Sequence, residues 1–266
     1  MQLYGLKSPL IRPGDSITEK LFEALSRARL GIKNGDIIAI ASKAVSVAER
    51  NILPLGTIEP TGFAKKLGRK LGLSPDFVQI VIDESDALYG GVSGAILTIK
   101  NGDATANSGV DRKNAPPKTV IPWPLRPKYS AEKIRRAIDR KLGKKIGVMI
   151  VDSRVTPLRL GTIGFAIASS GFCPVRDERG TTDLYGRKVS ITFHALADGI
   201  AAAAQVLMGE TRETIPFVIV REAPIALARG SRSTSMTLPV KDCLYMSQMP
   251  APIVKNQRRI SKPRFN

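Results

Sequence analysis

Gly147-Val148-Met149-Ile150-Val151-Asp152-Ser153 is an unbroken apolar run closed by a carboxylate and a hydroxyl. A run of this length with no polar interruption predicts a buried strand over 146–151. Ending it in Asp152 and Ser153 puts both groups at a strand's carboxyl end, where open α/β sheets take their ligands. Working outward, a basic helix is expected over 131–142 before the run. After it come further apolar strands over 163–168 and 189–193, an alanine-rich helix over 196–208 that permits close packing, and a strand over 215–220. Toward the start, Ser16-Ile17-Thr18-Glu19 reads as a capping box opening a helix to about residue 30, and Asn34-Gly35-Asp36 as a turn feeding a strand over 37–41. Helices follow over 62–71 and, capped by Ser74-Pro75, to about 84; a strand over 95–99 then turns at Asn101-Gly102. Between residues 112 and 128 lies a proline-rich loop, and beyond Ala223 the pattern fades into a basic segment whose last dozen residues read as a mobile tail. Helices and short β-branched runs thus alternate along the chain.

Composition narrows the class. The chain has 266 residues, 43% hydrophobic and 5% aromatic, with 41 Lys and Arg against 23 Asp and Glu, a formal charge of +18. These values exclude disorder, a collagen-like repeat and a disulfide-stapled miniature fold. No apolar run approaches the roughly 20 residues of a bilayer span; the longest, residues 200–208, is broken by Gln205. Cys173 and Cys243 fit no metal or disulfide spacing, and Met1-Gln2-Leu3-Tyr4-Gly5 lacks the layout of a signal peptide, so a reducing, cytoplasmic setting is expected. A zinc site is not expected with His194 alone, and that histidine, among apolar residues, reads as packed rather than catalytic. Trp123, between prolines, reads as the anchor of a loop or of a partner. The charge favours a polyanionic partner without choosing between nucleic acid, nucleotide and an acidic small molecule.

No phosphate-binding loop of the G-x-x-x-x-G-K-S/T kind and no strand-borne G-x-G-x-x-G occurs. Three segments place carboxylates beside small residues: Ala106-Asn107-Ser108-Gly109-Val110-Asp111 with Asn114 following, Asp152-Ser153, and Met208-Gly209-Glu210. Asp111, Asp152, Ser153 and Glu210 offer hard oxygen donors suited to Mg²⁺ or Mn²⁺, which together can neutralise nucleotide phosphates. Each has a plainer alternative: a turn closed by Asp111, a following segment capped by Asp152, a solvated Glu210. In Asp183-Leu184-Tyr185-Gly186-Arg187-Lys188, Arg187 either grips a carboxylate or phosphate through its fork or belongs to an exposed turn.

In these segments the chain resembles the coenzyme F-420-0:L-glutamate ligases, the gamma-glutamyl ligases of deazaflavin biosynthesis. The resemblance runs from about Leu6 to Arg221 and rests on ordered motifs: Pro9-Leu10-Ile11 with Pro13-Gly14-Asp15, Gly35-Asp36 leading to Ser42-Lys43 and Ala48-Glu49, and Asn107-Ser108-Gly109-Val110-Asp111 with Asn114. It continues through Asp152-Ser153, Gly164-Phe165-Ala166-Ile167, residues 183–187, Ala197-Asp198 and Met208-Gly209-Glu210. The resemblance implies an α+β fold without a P-loop, an intertwined homodimer, and a ligase domain over 1–222 followed by a basic extension over 223–266. It implies GTP-dependent amide formation, in which a coenzyme carboxylate is activated as an acyl phosphate and captured by L-glutamate. It places divalent-metal ligands at Asp111, Asp152, Ser153 and Glu210, with Mg²⁺ or Mn²⁺, and K⁺ as a further cofactor. Guanine-nucleotide contacts are placed at Ser8, Pro9, Leu10, Ile11, Ser42, Lys43, Asn114 and at Met208, Gly209, Glu210, Thr211, Arg212, Glu213, Thr214 and Ile215, and Arg187 is a substrate-binding candidate.

Several positions depart from the family pattern. Val47 stands where a second nucleotide-binding lysine is usual, removing a charge-assisted bond typically worth about 1.5–3 kcal/mol. Val155-Thr156 replaces a Gly-Arg pair, and Gly199 follows Ala197-Asp198 where an acidic residue is usual. A divergent relative acting on another acidic acceptor therefore stands beside the deazaflavin reading. From a different class stands a nucleic-acid-binding protein on a retired ligase fold, supported by the charge, the basic stretch 133–145 and the cationic tail. Few aromatics for base stacking and no recognised nucleic-acid motif weigh against it.

Overall fold

The computed structural model describes residues 1–228 and 235–256, so from residue 257 on the expected basic tail lies outside the described residues. The chain divides into two compact units, Met1–Asn51 with Pro124–Met236, and Ile52–Trp123 with Thr237–Asn266. In chain order the first unit opens with β1 (Gln2–Leu6), α1 (Ile17–Arg27), β2 (Ile37–Ala41) and α2 (Ser42–Ala48). The second holds β3 (Leu53–Pro54), α3 (Gly62–Leu71), α4 (Pro75–Glu84), β4 (Ala87–Val92), β5 (Ala95–Lys100), β6 (Asp103–Ala106) and β7 (Thr119–Val120). The first resumes with α5 (Pro127–Leu142), β8 (Gly147–Val155), β9 (Thr162–Ser170), β10 (Arg176–Asp177), β11 (Phe193–His194), α6 (Leu196–Met208) and β12 (Phe217–Arg221), and β13 (Val254–Lys255) returns to the second. The architecture is α+β with mixed sheets and six α-helices among the described residues.

The first unit is built on a five-stranded sheet of order β1-β12-β2-β8-β9, in which β2 and β8 are the parallel pair and every other pairing is antiparallel. Ile37, Ala39, Met149, Val151, Val218 and Val220 pack with Ile200, Ala201 and Ala204 of α6. Ile38, Ile40, Val148, Ile150 and Ile219, one step out of phase, are equally buried on the other face. Burial on both faces is the reason β2 and β8 read as unbroken apolar runs rather than alternating ones. The alanines of α6 allow a close approach: a Cβ on Gly164 would lie 2.4 Å from the Ala201 carbonyl oxygen.

In the second unit, α3 and α4 cover a sheet of order β13-β4-β5-β6 through Leu67, Leu71, Phe77, Val81, Leu88 and Ile96. The Asn101-Gly102 turn joins β5 to β6, both residues at positive φ. Residues beyond 236 belong to this unit. Met246 packs with Ala87 and Ile99, β13 pairs with β4, and Asn256 Nδ2 donates to the carbonyls of Ile82 and Ser85 at 2.7 and 3.0 Å. Trp123 is buried against Gly109, whose α-carbon could not carry a side chain there.

Ser16 caps α1 as expected, its Oγ accepting from Glu19 N, but the helix stops at Arg27. Ser74 holds the N-cap position of α4 without bonding its backbone; Arg112 donates to its hydroxyl instead. The proline-rich loop is shorter than expected, because β7 pairs within it and Pro127 opens α5 at the one place where a helix tolerates proline's missing N–H. No strand spans 189–193: Ile191 is exposed, no apolar layer faces it, and only Phe193–His194 pairs. His194 is likewise exposed rather than packed, beside Arg176 and Glu178. Most consequential, β8 does not end at Val151 but continues to Val155, because β9 runs back along it.

Candidate functional site

The register of the first sheet decides where the candidate residues gather. Ala41, the last residue of β2, pairs with Val151, so Asp152 and Ser153 project beyond β2 on the part of β8 that only β9 accompanies. The carboxyl end that matters is therefore that of the parallel pair, with one strand overrunning the other. At this edge α2 begins with Ser42 and Lys43 directly after β2. Leu6, closing β1, pairs with Phe217, which also pairs with Ile40, bringing residues 8–11 and the approach to β12 to the same edge. Two backbone bonds tie the segments: Ser8 N donates to Thr214 O at 3.0 Å, and Ala41 N to Pro216 O at 2.9 Å. Ser8, Ile11 and Ser42 are buried here, while Leu10 is exposed.

The segment after α6 is held in a tight turn. Gly209 closes the helix with φ 70°, where a Cβ would run into the Glu213 carboxylate. Glu213 accepts from Thr211 N at 2.8 Å and from its hydroxyl at 3.2 Å, and that backbone N–H holds its carboxyl below the usual range. Thr214, at φ 57°, completes the turn. Glu210 accepts from Gln205 Nε2 at 2.6 Å and from Thr162 Oγ1 at 3.0 Å, which fixes it between the last turn of α6 and the start of β9.

Thus the first unit gathers Ser8, Pro9, Leu10, Ile11, Ser42, Lys43, Asp152, Ser153 and residues 208–215 at one edge of its sheet. Asp111 and Asn114 lie in the second unit. There Asp111 exchanges both backbone bonds with Ile121 and accepts from Lys113 N at 2.8 Å, just after Asn107, Ser108 and Gly109, all at positive φ. Among the described residues no group of three or more His, Cys, Asp or Glu side chains is assembled to hold a metal ion. The donor set of Asp152, Ser153 and Glu210 nonetheless has the all-oxygen chemistry that Mg²⁺ and Mn²⁺ require. Arg187 is exposed and turned onto its own loop, ion-paired with Asp183 at 3.1 Å and lying over the Tyr185 ring.

The model of the F420-0:gamma-glutamyl ligase family matches residues 5–222. The chain belongs to that family. It is an amide-bond-forming ligase. Proteins named coenzyme F420:L-glutamate ligase resemble it along most of their length. That of Methanococcus maripaludis is 40% identical over 232 residues, 87% of this chain and 92% of the relative. That of Methanopyrus kandleri is 39% identical over 212 residues, 79% and 82% of the two chains. That of Archaeoglobus fulgidus is 37% identical over 218 residues, 82% and 86%.

One residue pair escaped the sequence reading of this ligase's site. The β8–β9 register shifts between Ile150 and Val151, skipping Ile167, and Ala166 N of the edge strand β9 donates outside the sheet. Asp198 Oδ1 accepts that N–H at 3.0 Å, and its Oδ2 pairs with Arg154 Nη2 at 3.2 Å. Arg154 also lies over the Phe165 ring, 4.6 Å from its centroid. Asp198, in the first turn of α6, thereby clamps the strand carrying Asp152 and Ser153. Ala197-Asp198 was visible as a motif, but the strand pairing that brings Ala166 and Arg154 to the carboxylate was not.

Proposed function

We propose that this ligase uses GTP and Mg²⁺ or Mn²⁺ to add L-glutamate, through gamma-glutamyl amide bonds, to coenzyme F420-0. The carrying observation is the single sheet edge of the first unit, where every candidate nucleotide segment of that unit meets Asp152, Ser153 and Glu210. Family membership supplies the reaction class, and the names of the relatives supply its substrates. The terminal carboxylate of the coenzyme attacks the γ-phosphorus of GTP, forming an acyl phosphate and releasing GDP. The glutamate amine then attacks the acyl carbon, phosphate leaves with the C–O bond electrons, and the amine gives up a proton. Asp152, Ser153 and Glu210 would hold a divalent cation, which when bound would supply charge neutralisation at the phosphates.

The chain's own groups serve positioning. Backbone N–H groups of the 8–11 and 208–215 segments and the Ser42 hydroxyl bind the nucleotide, and Lys43 supplies a cation in place of the one lost at Val47. Arg187 is the candidate grip on a substrate carboxylate once its turn rearranges. The active form is a homodimer, a reading supported by fully exposed Leu158 and Leu160 at the β8–β9 tip and by exposed Leu184 and Ile191.

The test combines purified protein, GTP, Mn²⁺, the deazaflavin acceptor and glutamate. Glutamate-dependent GDP release and a product heavier by one or more glutamyl groups are expected. Asp152→Ala should abolish turnover while leaving the thermal unfolding midpoint within a few degrees of wild type. Full turnover in that variant would overturn the site, and GTP-independent product formation would overturn the phosphoryl route.

A further inference from the structure

The formal charge of +18 is far more than a groove for anionic substrates requires, and the excess has a definite place in the first unit. Ile37 pairs with Gly147 where β2 and β8 begin, four residue steps, or about 13 Å, from the candidate site at their other ends. At that far edge the turn before β2 meets the turn after α5: Lys145 N donates to Asn34 Oδ1 at 2.8 Å, and Gly35 N to Lys145 O at 2.9 Å. The junction brings Arg29, Lys33, Arg140, Lys141, Lys144 and Lys145 together on α1, α5 and their turns.

Two of their neighbouring acids are committed: Asp36 is buried and bound by Arg221, and Glu23 pairs with Arg27 and Lys20. Asp139 and exposed Glu222 form no ion pair among the described residues, leaving two acids against six cations. Among the described residues none of the six cations has an ion-pair partner. The C-terminus of α5 offsets only about half an elementary charge. The surface around them is also poor in anchors: among the described residues Leu142 is its one exposed large hydrophobic residue, and the aromatic ring beside them, Phe22, is half-buried with Lys141 Nζ 4.2 Å over it. A membrane-surface site pairs its cations with Trp, Phe or Leu, and a protein interface needs a buried apolar centre. Cations without either suit a partner whose charge is dense and regularly spaced, and contact without stacking suits its backbone rather than its bases.

We propose that this face binds the phosphate backbone of double-stranded nucleic acid without reading sequence, independently of the ligase site. The probes are short labelled RNA and DNA duplexes, titrated by fluorescence anisotropy from low to moderate salt. Wild-type protein should bind with an affinity that falls steeply with salt. The combined variant Lys33→Glu, Lys144→Glu, Lys145→Glu should bind more weakly by at least tenfold, with the salt slope reduced by about 0.9 for each phosphate that is no longer neutralised. The corresponding Lys→Gln variant should give an intermediate loss, and both variants should keep wild-type unfolding midpoints and ligase turnover. Preference for the RNA or the DNA duplex identifies the source of the phosphates. No duplex binding at 0.1 M salt, an unchanged affinity in the charge-reversal variant, or equal binding of phosphatidylserine vesicles or polyglutamate would overturn the proposal.

Discussion

The two ends of the β2–β8 pair are made in opposite ways. Where the strands begin, the chain is closed by a buried fork: Arg221 Nε and Nη2 reach the two Asp36 oxygens at 2.9 and 2.8 Å, and Nη2 also reaches Gly31 O at 2.7 Å. Asp36 pushes the guanidinium pKa further up. Where the strands end, the backbone turns at positive φ at Gly209, Thr214 and Leu158; Asp152 accepts from Ser153 N, Glu210 from Thr162 and Gln205, and Glu213 from Thr211, while Asp198 pairs with Arg154. One end is fastened by a buried ion pair. The other gathers carboxylates on turns that accept local strain.

The largest effect expected from breaking this division is at the first end. Asp36→Ala leaves Arg221 buried without its counter-ion, which should cost about 3–5 kcal/mol of stability. Urea unfolding measures it, with metal affinity of the remaining folded protein read in parallel. A loss below about 1 kcal/mol would show that the pair does not hold this edge. A matching fall in the folded protein's metal affinity would show that the two ends are not separable.

At the other end the next largest effect belongs to Asp198. Asp198→Ala should weaken Mn²⁺ binding or turnover by about 10–100-fold, as loss of a residue that orients ligands usually does. Asp198→Asn keeps an acceptor for Ala166 N while losing the charge opposite Arg154, and should recover part of that loss. If the two variants were equally impaired, the bond to Ala166 N would carry no weight. If neither changed binding, Asp198 would be packing alone.

This division also sets what could be read from the sequence. Elements whose pattern is local were legible: α3, α4 and α6 start and stop where caps, prolines and periodicity place them, and β2 lies where its turn points. Asp111 and Glu210 drew notice for the small residues beside them, and there the backbone does turn, at positive φ at Asn107, Ser108, Gly109 and Gly209. What was not legible depends on pairing across the chain. The extension of β8 through Asp152 and Ser153 needs β9 beside it, and the role of Asp198 needs Ala166 of β9 and Arg154 of β8 brought to it. The run 189–193 failed for the converse reason, since its apolar side chains have no layer to meet.

The smallest expected effect sharpens the comparison through pH. Glu132 belongs to the beginning edge: it binds Ser170, the residue of β9 that pairs with Val148, together with Arg135 and Arg136. Chiefly through Arg135, its carboxyl is lowered from 4.5 to about 2. A carboxyl lowered on folding contributes stability that is complete above about pH 4.5 and is lost as pH falls toward 2. Partial exposure and solvent screening keep that contribution near about 1 kcal/mol. Glu49, capping α2, titrates the other way: burial raises its carboxyl despite Ser130, so its contribution is present below pH 4.5 and lost as pH rises through the raised value. Unfolding midpoints at pH 3 and pH 6 should therefore differ less in Glu132→Gln than in wild type, and Glu49→Gln should gain stability at neutral pH. An unaltered acid limb in Glu132→Gln would show that the fork of Arg135 and Arg136 costs as much to desolvate as it returns, and would leave Asp36–Arg221 as the one ionic fastening of that edge.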